Sequence, residues 1–264
     1  MENTKNYLFA DVGNTATDMI LTDFKTFVHS KVGSKDKLGI RRELNKYVSS
    51  YPNLEVYVSS VDSVGFKILT HQLKELGLSI FVLTPSRMAQ FCKKNKYKVS
   101  NVSFLGSDLF CDIVSRDSAN GLIVVDLGTA SKILYIDSNK NFKGGQIFPG
   151  LLSGPAILSQ KTDLLKNFEI QENPPLLSLK TETSISSGII NGTAGLVKSM
   201  VEAIKKEYDD PNCQVLLSGG NSRYIKKELS RLGLSDFETD KNCVTEGLAR
   251  IYGFESYSLF KESF

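Results

Sequence analysis

The sequence predicts an α/β chain of two tandem domains with a cleft between them, and three observations carry that expectation. A strand ending in Asp-x-Gly occurs twice, at Asp11 and at Asp126, 115 positions apart (126 minus 11). The order of elements behind the first recurs behind the second, the mark of a duplicated unit. The run Gly121-Leu-Ile-Val-Val125 has no polar alternation, as expected of a strand buried on both faces.

In the first half, strands are expected at Tyr7 to Ala10, Asp18 to Leu21 and Phe27 to Val32. Helical patterning covers Lys35 to Ser49, and Glu55 to Ser59 returns to strand. A helix near Val64 to Leu76, a strand at Ser79 to Leu83 and a helix from Ser86 follow, punctuated by Gly77 and Pro85. The second half starts again with Gly121 to Val125, then Ile133 to Ile136 and Phe142 to Phe148, separated by the turn-forming Asp137-Ser-Asn139. Helices from Leu151 and over Ile185 to Tyr208 lead to a strand at Gln214 to Leu217. The last elements are a helix over Tyr224 to Leu232, a strand at Asp236 to Thr239 and a helix over Thr245 to Tyr252. The domains are placed at 1–118 and 119–264.

Composition narrows the function classes. A net charge of +3, with the basic residues scattered, argues against nucleic acid as a main partner. No apolar stretch has the length of a membrane span, and the N-terminal run has no secretory pattern, so a cytoplasmic protein without a membrane partner is expected. Cys92, Cys111, Cys213 and Cys243 form no CxxC pair and read as isolated thiols. With only His29 and His71 present, acid–base chemistry falls to carboxylates. There is neither a GxxxxGK[ST] loop nor a strand-linked GxGxxG fingerprint.

The two turns suit phosphate chemistry. Each puts a carboxylate where a buried strand ends, the place where ligands sit on open α/β sheets. Gly13 and Gly128 let backbone approach a phosphate, and Asn14, Thr15 and Thr129 add groups that bind phosphate oxygens. A carboxylate repels phosphate, so Asp11 and Asp126 are read as cation holders, directly or through water. Ser218-Gly219-Gly220 follows a strand and precedes a helix, a place for a nucleotide to lie against backbone. Gly188, Gly192 and Gly195, in a helical segment, fit close helix packing as well as substrate contact.

On these residues the chain resembles the type III pantothenate kinases, members of the acetate/sugar-kinase and actin superfamily. Asp11-Val-Gly-Asn-Thr15 and Val125-Asp-Leu-Gly-Thr-Ala130 look like its two phosphate motifs, and Leu105-Gly-Ser-Asp108 resembles its Gly-x-Asp-Arg element. Gly144-Gly-Gln-Ile-Phe-Pro-Gly150, Thr181 with Ile185 and Ser187-Gly188, Ser218-Gly-Gly220 and Glu246-Gly-Leu248 follow in the family's order. The resemblance implies two RNase H-like, actin-like ATPase domains and transfer of the ATP γ-phosphoryl group to pantothenate, the first step towards coenzyme A. Asp108 would be the general base and Asp11 would hold Mg²⁺. Asp126 would hold a monovalent cation (K⁺ or NH₄⁺) or Mg²⁺. Tyr97, Gly106, Ser107, Asp108 and Thr181 would contact pantothenate, and Gly219 and Gly220 the nucleotide. A homodimer with the substrate pocket at its interface is expected.

Two departures stand out. Leu109 occupies the place of the family's arginine, which would help bind the substrate carboxylate, and leucine cannot replace a bidentate cation. Ser60-Val-Asp-Ser63 lacks the proline of the family's Ser-Val-Val-Pro loop. A catalytically impaired nucleotide-binding protein of the same fold, acting as an accessory or regulator, and a kinase of another small hydroxyl compound are the alternatives. The run Lys93-Lys94-Asn-Lys96-Tyr-Lys98 reads as a solvated helix end, with a substitute carboxylate clamp as the second reading.

Overall fold

A computed structural model describes residues 5–51, 53–161 and 169–254. The chain forms two compact units, one holding residues through Asp117 together with those from Asn242 on, the other Ser118–Lys241.

In the first unit, β1 (Asn6–Val12), β2 (Ala16–Thr22), β3 (Phe27–Gly33), β4 (Leu54–Ser60) and β5 (Ser79–Val82) form one five-stranded sheet in the order β3-β2-β1-β4-β5. β1 to β3 are antiparallel neighbours, and β4 and β5 run parallel to β1. The apolar faces of α1 (Lys37–Ser50) and α2 (Ser63–Glu75) close a core around Leu8, Ala10, Leu44, Val56, Val58 and Leu69. Asp62 caps α2, accepting from the amides of Val64 and Gly65 at 3.2 Å each. An N-cap carboxylate therefore starts the helix in the loop that lacks the family's proline. α3 (Pro85–Asn95) begins on Thr84 with proline in its first turn, a normal helix opening.

In the second unit, β6 (Leu122–Leu127), β7 (Ala130–Ile136), β8 (Phe142–Pro149), β9 (Gln214–Ser218) and β10 (Glu238–Thr239) repeat the scheme. Their sheet order is β10-β9-β6-β7-β8, with β6 to β8 antiparallel and β9 and β10 parallel to β6. Position for position this is the first sheet again. All six residues of β6 are buried. The core around Ile123, Val125, Ile133, Ile190, Val197 and Val215 is completed by α6 (Thr181–Glu207) and α7 (Ser222–Arg231), while α5 (Ser153–Lys161) follows β8.

Two expectations change. α4 (Ser107–Val114) is a helix, following a 3₁₀ turn at Val102–Phe104, in a stretch where no element is expected from the sequence. The single boundary between 118 and 119 gives way to an interrupted first unit, because α8 (Cys243–Ile251) packs on α4, β1 and β4. The physical reason is Gly247: a Cβ there would lie 2.0 Å from the Cys111 carbonyl oxygen, so only glycine lets the two helix backbones meet this closely. Glu246-Gly-Leu248 is thus a helix-packing element. Arg250 extends the contact, donating to the Val114 carbonyl at 2.7 Å and to the Tyr97 hydroxyl at 2.9 Å, and pairing with Asp117.

Candidate functional site

In the first unit, Asp11 lies near the end of β1, opposite Asp18 of β2 on one side and Ser59 of β4 on the other. Two carboxylates directly across a strand pair repel each other. Asp18 is compensated by His29 Nε2 at 3.0 Å and Lys31 Nζ at 2.8 Å. Burial works to raise the Asp18 pKa, but the His29 hydrogen bond and the Lys31 charge outweigh it and hold the carboxyl below its ordinary range. The loop after Asp11 is fixed from β3's end. Ser34 Oγ donates to the Gly13 carbonyl at 2.6 Å, the Ser34 amide donates to the Thr15 carbonyl at 3.1 Å, and the Gly13 amide reaches the Ala16 carbonyl at 3.0 Å. Asn14 and Thr15 are exposed at its tip.

Ser107 brings the second carboxylate of this unit to the same sheet end. Its Oγ donates to the Ser60 carbonyl at 3.0 Å and accepts from the Ser60 amide at 3.1 Å and the Ser59 hydroxyl at 3.0 Å. The first turn of α4, with Asp108 in it, is thereby fastened to the carboxyl end of β4, next to the strand that carries Asp11. Asp108 Oδ1 accepts from the Leu109 amide at 2.8 Å. A Cβ on Gly106 would come within 2.6 Å of that same oxygen, so the glycine leaves the carboxylate its position. Burial, then the charges of Asp11, Asp112 and Asp108, push the Cys111 thiol well above the ordinary thiol range. That shared effect puts Asp11 and Asp108 in one neighbourhood. Ser107 itself spends its hydroxyl on the fold, and Leu109 is half-buried.

Tyr97 is buried, and its hydroxyl donates to Asp117 at 3.1 Å under the Arg250 guanidinium. Nearby is a cavity of about 490 Å³ lined by Arg87, Lys94, Asp117, Arg250 and Tyr252 among others; neither Asp108 nor Leu109 lines it. Lys94 is the member of the basic run that reaches it.

In the second unit three glycine elements converge. Asp126 lies in β6 opposite Lys132 of β7 and beside Ser218 of β9. Gly128 and Thr129 form the loop between β6 and β7, and Gly150 presses on it. A Cβ on Gly150 would sit 2.2 Å from the Thr129 carbonyl oxygen, and its amide donates there at 3.2 Å. Gly219, in a left-handed conformation (φ +81), lies against Asp126 and Leu127. Asn221, which belongs to no motif in the sequence, ties the turns together: its side chain donates to the Gly128 carbonyl at 3.1 Å and its amide to the Leu127 carbonyl at 3.0 Å. Gly220 is exposed at the lip. Thr181 is exposed as the first residue of α6. Among the described residues, a Cβ at Gly188, Gly192 or Gly195 meets nothing within 4 Å.

The cation expectations divide. Among the described residues no group of three or more His, Cys, Asp or Glu side chains is arranged to hold a metal ion by itself. Mg²⁺ bound with nucleotide needs no such cage, since one or two carboxylates and the phosphates complete its shell. Asp11, beside an exposed loop and near Asp108, fits that role. Asp126 differs, since Lys132 Nζ stands 2.8 Å from its Oδ2.

The four cysteines are free and buried, and no helix among the described residues is long and apolar enough to cross a membrane. An archaeal actin homolog aligns over 93% of this chain and 98% of its own at TM-score 0.51 and 11% identity. A conserved putative Baf family transcriptional activator from Campylobacter jejuni aligns over 92% and 96% at TM-score 0.58 and 18% identity. The fold is therefore actin-like, as the duplicated order suggests. A type III pantothenate kinase from Sulfurihydrogenibium sp. (strain YO3AOP1) is 31% identical over 84% of this chain and 91% of that protein. The sequence profile of the type III pantothenate kinases matches residues 7–203. The chain belongs to the type III pantothenate kinase family.

Proposed function

We propose that the protein transfers the γ-phosphoryl group of ATP to the primary hydroxyl of pantothenate, with Asp108 as general base. The observation that carries this reading is the Ser107 clamp, which sets Asp108 at the sheet end where Asp11 lies. Asp108 would take the hydroxyl proton as the alcohol oxygen attacks the γ-phosphorus and ADP leaves. Mg²⁺, bound with the nucleotide at Asp11, would supply charge neutralisation across the phosphates. Gly13, Asn14 and Thr15 in one unit, and Gly128, Thr129, Gly219 and Gly220 in the other, would bind phosphates and nucleotide, largely through backbone.

Gly106 and Ser107 act through Asp108 in this reading, as positioning residues. Thr181 and Tyr97 are carried as pantothenate contacts by the resemblance, Tyr97 with its hydroxyl already engaged by Asp117 and Arg250. The homodimer and a cytoplasmic location come from the same source, and light scattering on the purified protein tests the dimer. The resemblance also brings K⁺ or NH₄⁺ to the second turn, where Lys132 stands on Asp126.

The deciding experiment is phosphorylation of pantothenate by the purified protein with ATP and Mg²⁺, followed by phosphorus NMR. Asp108→Asn is expected to lower kcat by about a thousandfold while ATP still binds. Retention of activity within a few-fold would remove Asp108 from the role of base. Leu109 favours a second reading, an accessory protein that binds nucleotide without turnover. Tight ATP binding with no product from pantothenate, in wild type and in Leu109→Arg alike, would select it.

A further inference from the structure

We infer that the ammonium of Lys132 is the resident cation of the second Asp-x-Gly turn, so that Asp126 holds no metal ion. The inference rests on reading residues 126–130 as a phosphate turn. The Asp126 and Lys132 side chains are each only 11% exposed, and Nζ lies 2.8 Å from Oδ2. The other carboxylate oxygen, Oδ1, faces Gly219 so closely that a Cβ there would come within 2.4 Å of it. Both oxygens are thus covered by the protein's own atoms.

A buried carboxylate needs a counter-charge. From the register position opposite Asp126 on the neighbouring antiparallel strand, Lys132 supplies that charge from a tether and competes with dissolved ions at a high effective concentration. A K⁺ or Mg²⁺ ion approaching Asp126 would meet the ammonium as a like charge. The pair also removes the repulsion a bare carboxylate would exert on incoming phosphate, which is the service a bound cation would perform.

The pairing depends on hairpin length. In the first unit Val12 pairs with Thr17, leaving four residues, 13–16, between the last paired positions, and Asp11 faces Asp18. In the second Leu127 pairs with Ser131, leaving three, 128–130, between them, and Asp126 faces Lys132. With the first hairpin's spacing of seven, the residue opposite Asp126 would be Ile133 (126 plus 7). The shorter loop therefore sets an ammonium on the carboxylate.

The test reads stability, cation uptake and ATP binding, so pantothenate turnover does not enter it. Wild-type protein, Lys132→Met, Lys132→Thr and Asp126→Asn/Lys132→Met would be compared in K⁺, NH₄⁺, Na⁺ and tetramethylammonium chloride at equal ionic strength. Thallium NMR would report monovalent-cation occupancy. Wild type is expected to show no K⁺-specific shift in melting temperature or ATP affinity. Each single variant should melt lower by roughly 10 °C in tetramethylammonium, bind ATP roughly tenfold more weakly there, and recover in K⁺ or NH₄⁺. The double variant should be indifferent to the cation. A thallium signal or K⁺-specific stabilisation in wild type that Asp126→Asn abolishes would overturn the inference, a measurement that stands even if the lysine variants do not fold. Single variants that fold and gain no cation response would overturn it equally.

Discussion

The two hairpins that carry Asp11 and Asp126 are built on one plan and have diverged in charge. Each joins the central strand of its sheet to an antiparallel neighbour and has a parallel strand on its other side, where a serine, Ser59 or Ser218, stands beside the aspartate. Across the hairpin the first has another carboxylate, Asp18, whose own partners come from the next strand as His29 and Lys31. The second has a lysine directly on the aspartate. A duplicated scaffold fixes where a carboxylate stands; the length of one loop fixes what answers its charge. In the proposed reading the first turn keeps its aspartate for an external cation, while the second pairs its own with Lys132.

The largest test of that difference is a matched pair. Asp11→Asn should reduce kcat by about a thousandfold through loss of the metal-side carboxylate, with the melting temperature nearly unchanged. Asp126→Asn should instead cost about 3 kcal/mol of stability, because it strands a buried ammonium. Chemical denaturation beside steady-state kinetics separates the two, and equal profiles would break the comparison.

Gly219→Ala follows in size. Its φ of +81 and a Cβ only 2.6 Å from Leu127 backbone atoms predict a loss of about 3 kcal/mol. Gly220→Ala, whose Cβ meets nothing within 4 Å among the described residues, should stay within about 0.5 kcal/mol of wild type. Asn221→Ala should cost about 1 kcal/mol and raise the KM for ATP, since it unties the Gly128 carbonyl from the neighbouring turn.

The smallest effect is a pH dependence in the first turn. The Asp18 carboxyl lies below its ordinary value of 3.8, so its stabilisation is complete above that value and is lost as pH falls through the lower folded one. Asp18→Asn should flatten the decline in melting temperature below about pH 4, and an unchanged acid limb would remove the His29–Lys31 cluster as its source.

Much of the fold was legible because its signals are local. The apolar run before Asp126 and the Asp-x-Gly repeat placed the central strands and the duplication without any long-range information. The α4 helix was not legible: Ser107-Asp-Leu-Phe-Cys-Asp-Ile-Val114 is short and apolar enough to read as either helix or strand. Its function in the site depends on Ser107 meeting Ser60, 47 residues earlier. The residues of the candidate site that carry a motif glycine or aspartate could be named in advance. Ser34, Asn221 and Lys132 could not, since each acts through a partner fixed only by tertiary register.

The return of α8 to the first unit has a consequence for the order of assembly. The segment 118–241 is an insertion in the path of the first unit, which receives its last described helix only after the whole second unit has been made. During synthesis the α4 backbone at Cys111, the surface that Gly247 covers, waits more than a hundred residues for its partner. The second unit, continuous in sequence, has every strand it needs before that moment. Vectorial folding would then run opposite to the numbering: the later unit can close first, and the earlier one is completed by the last described helix.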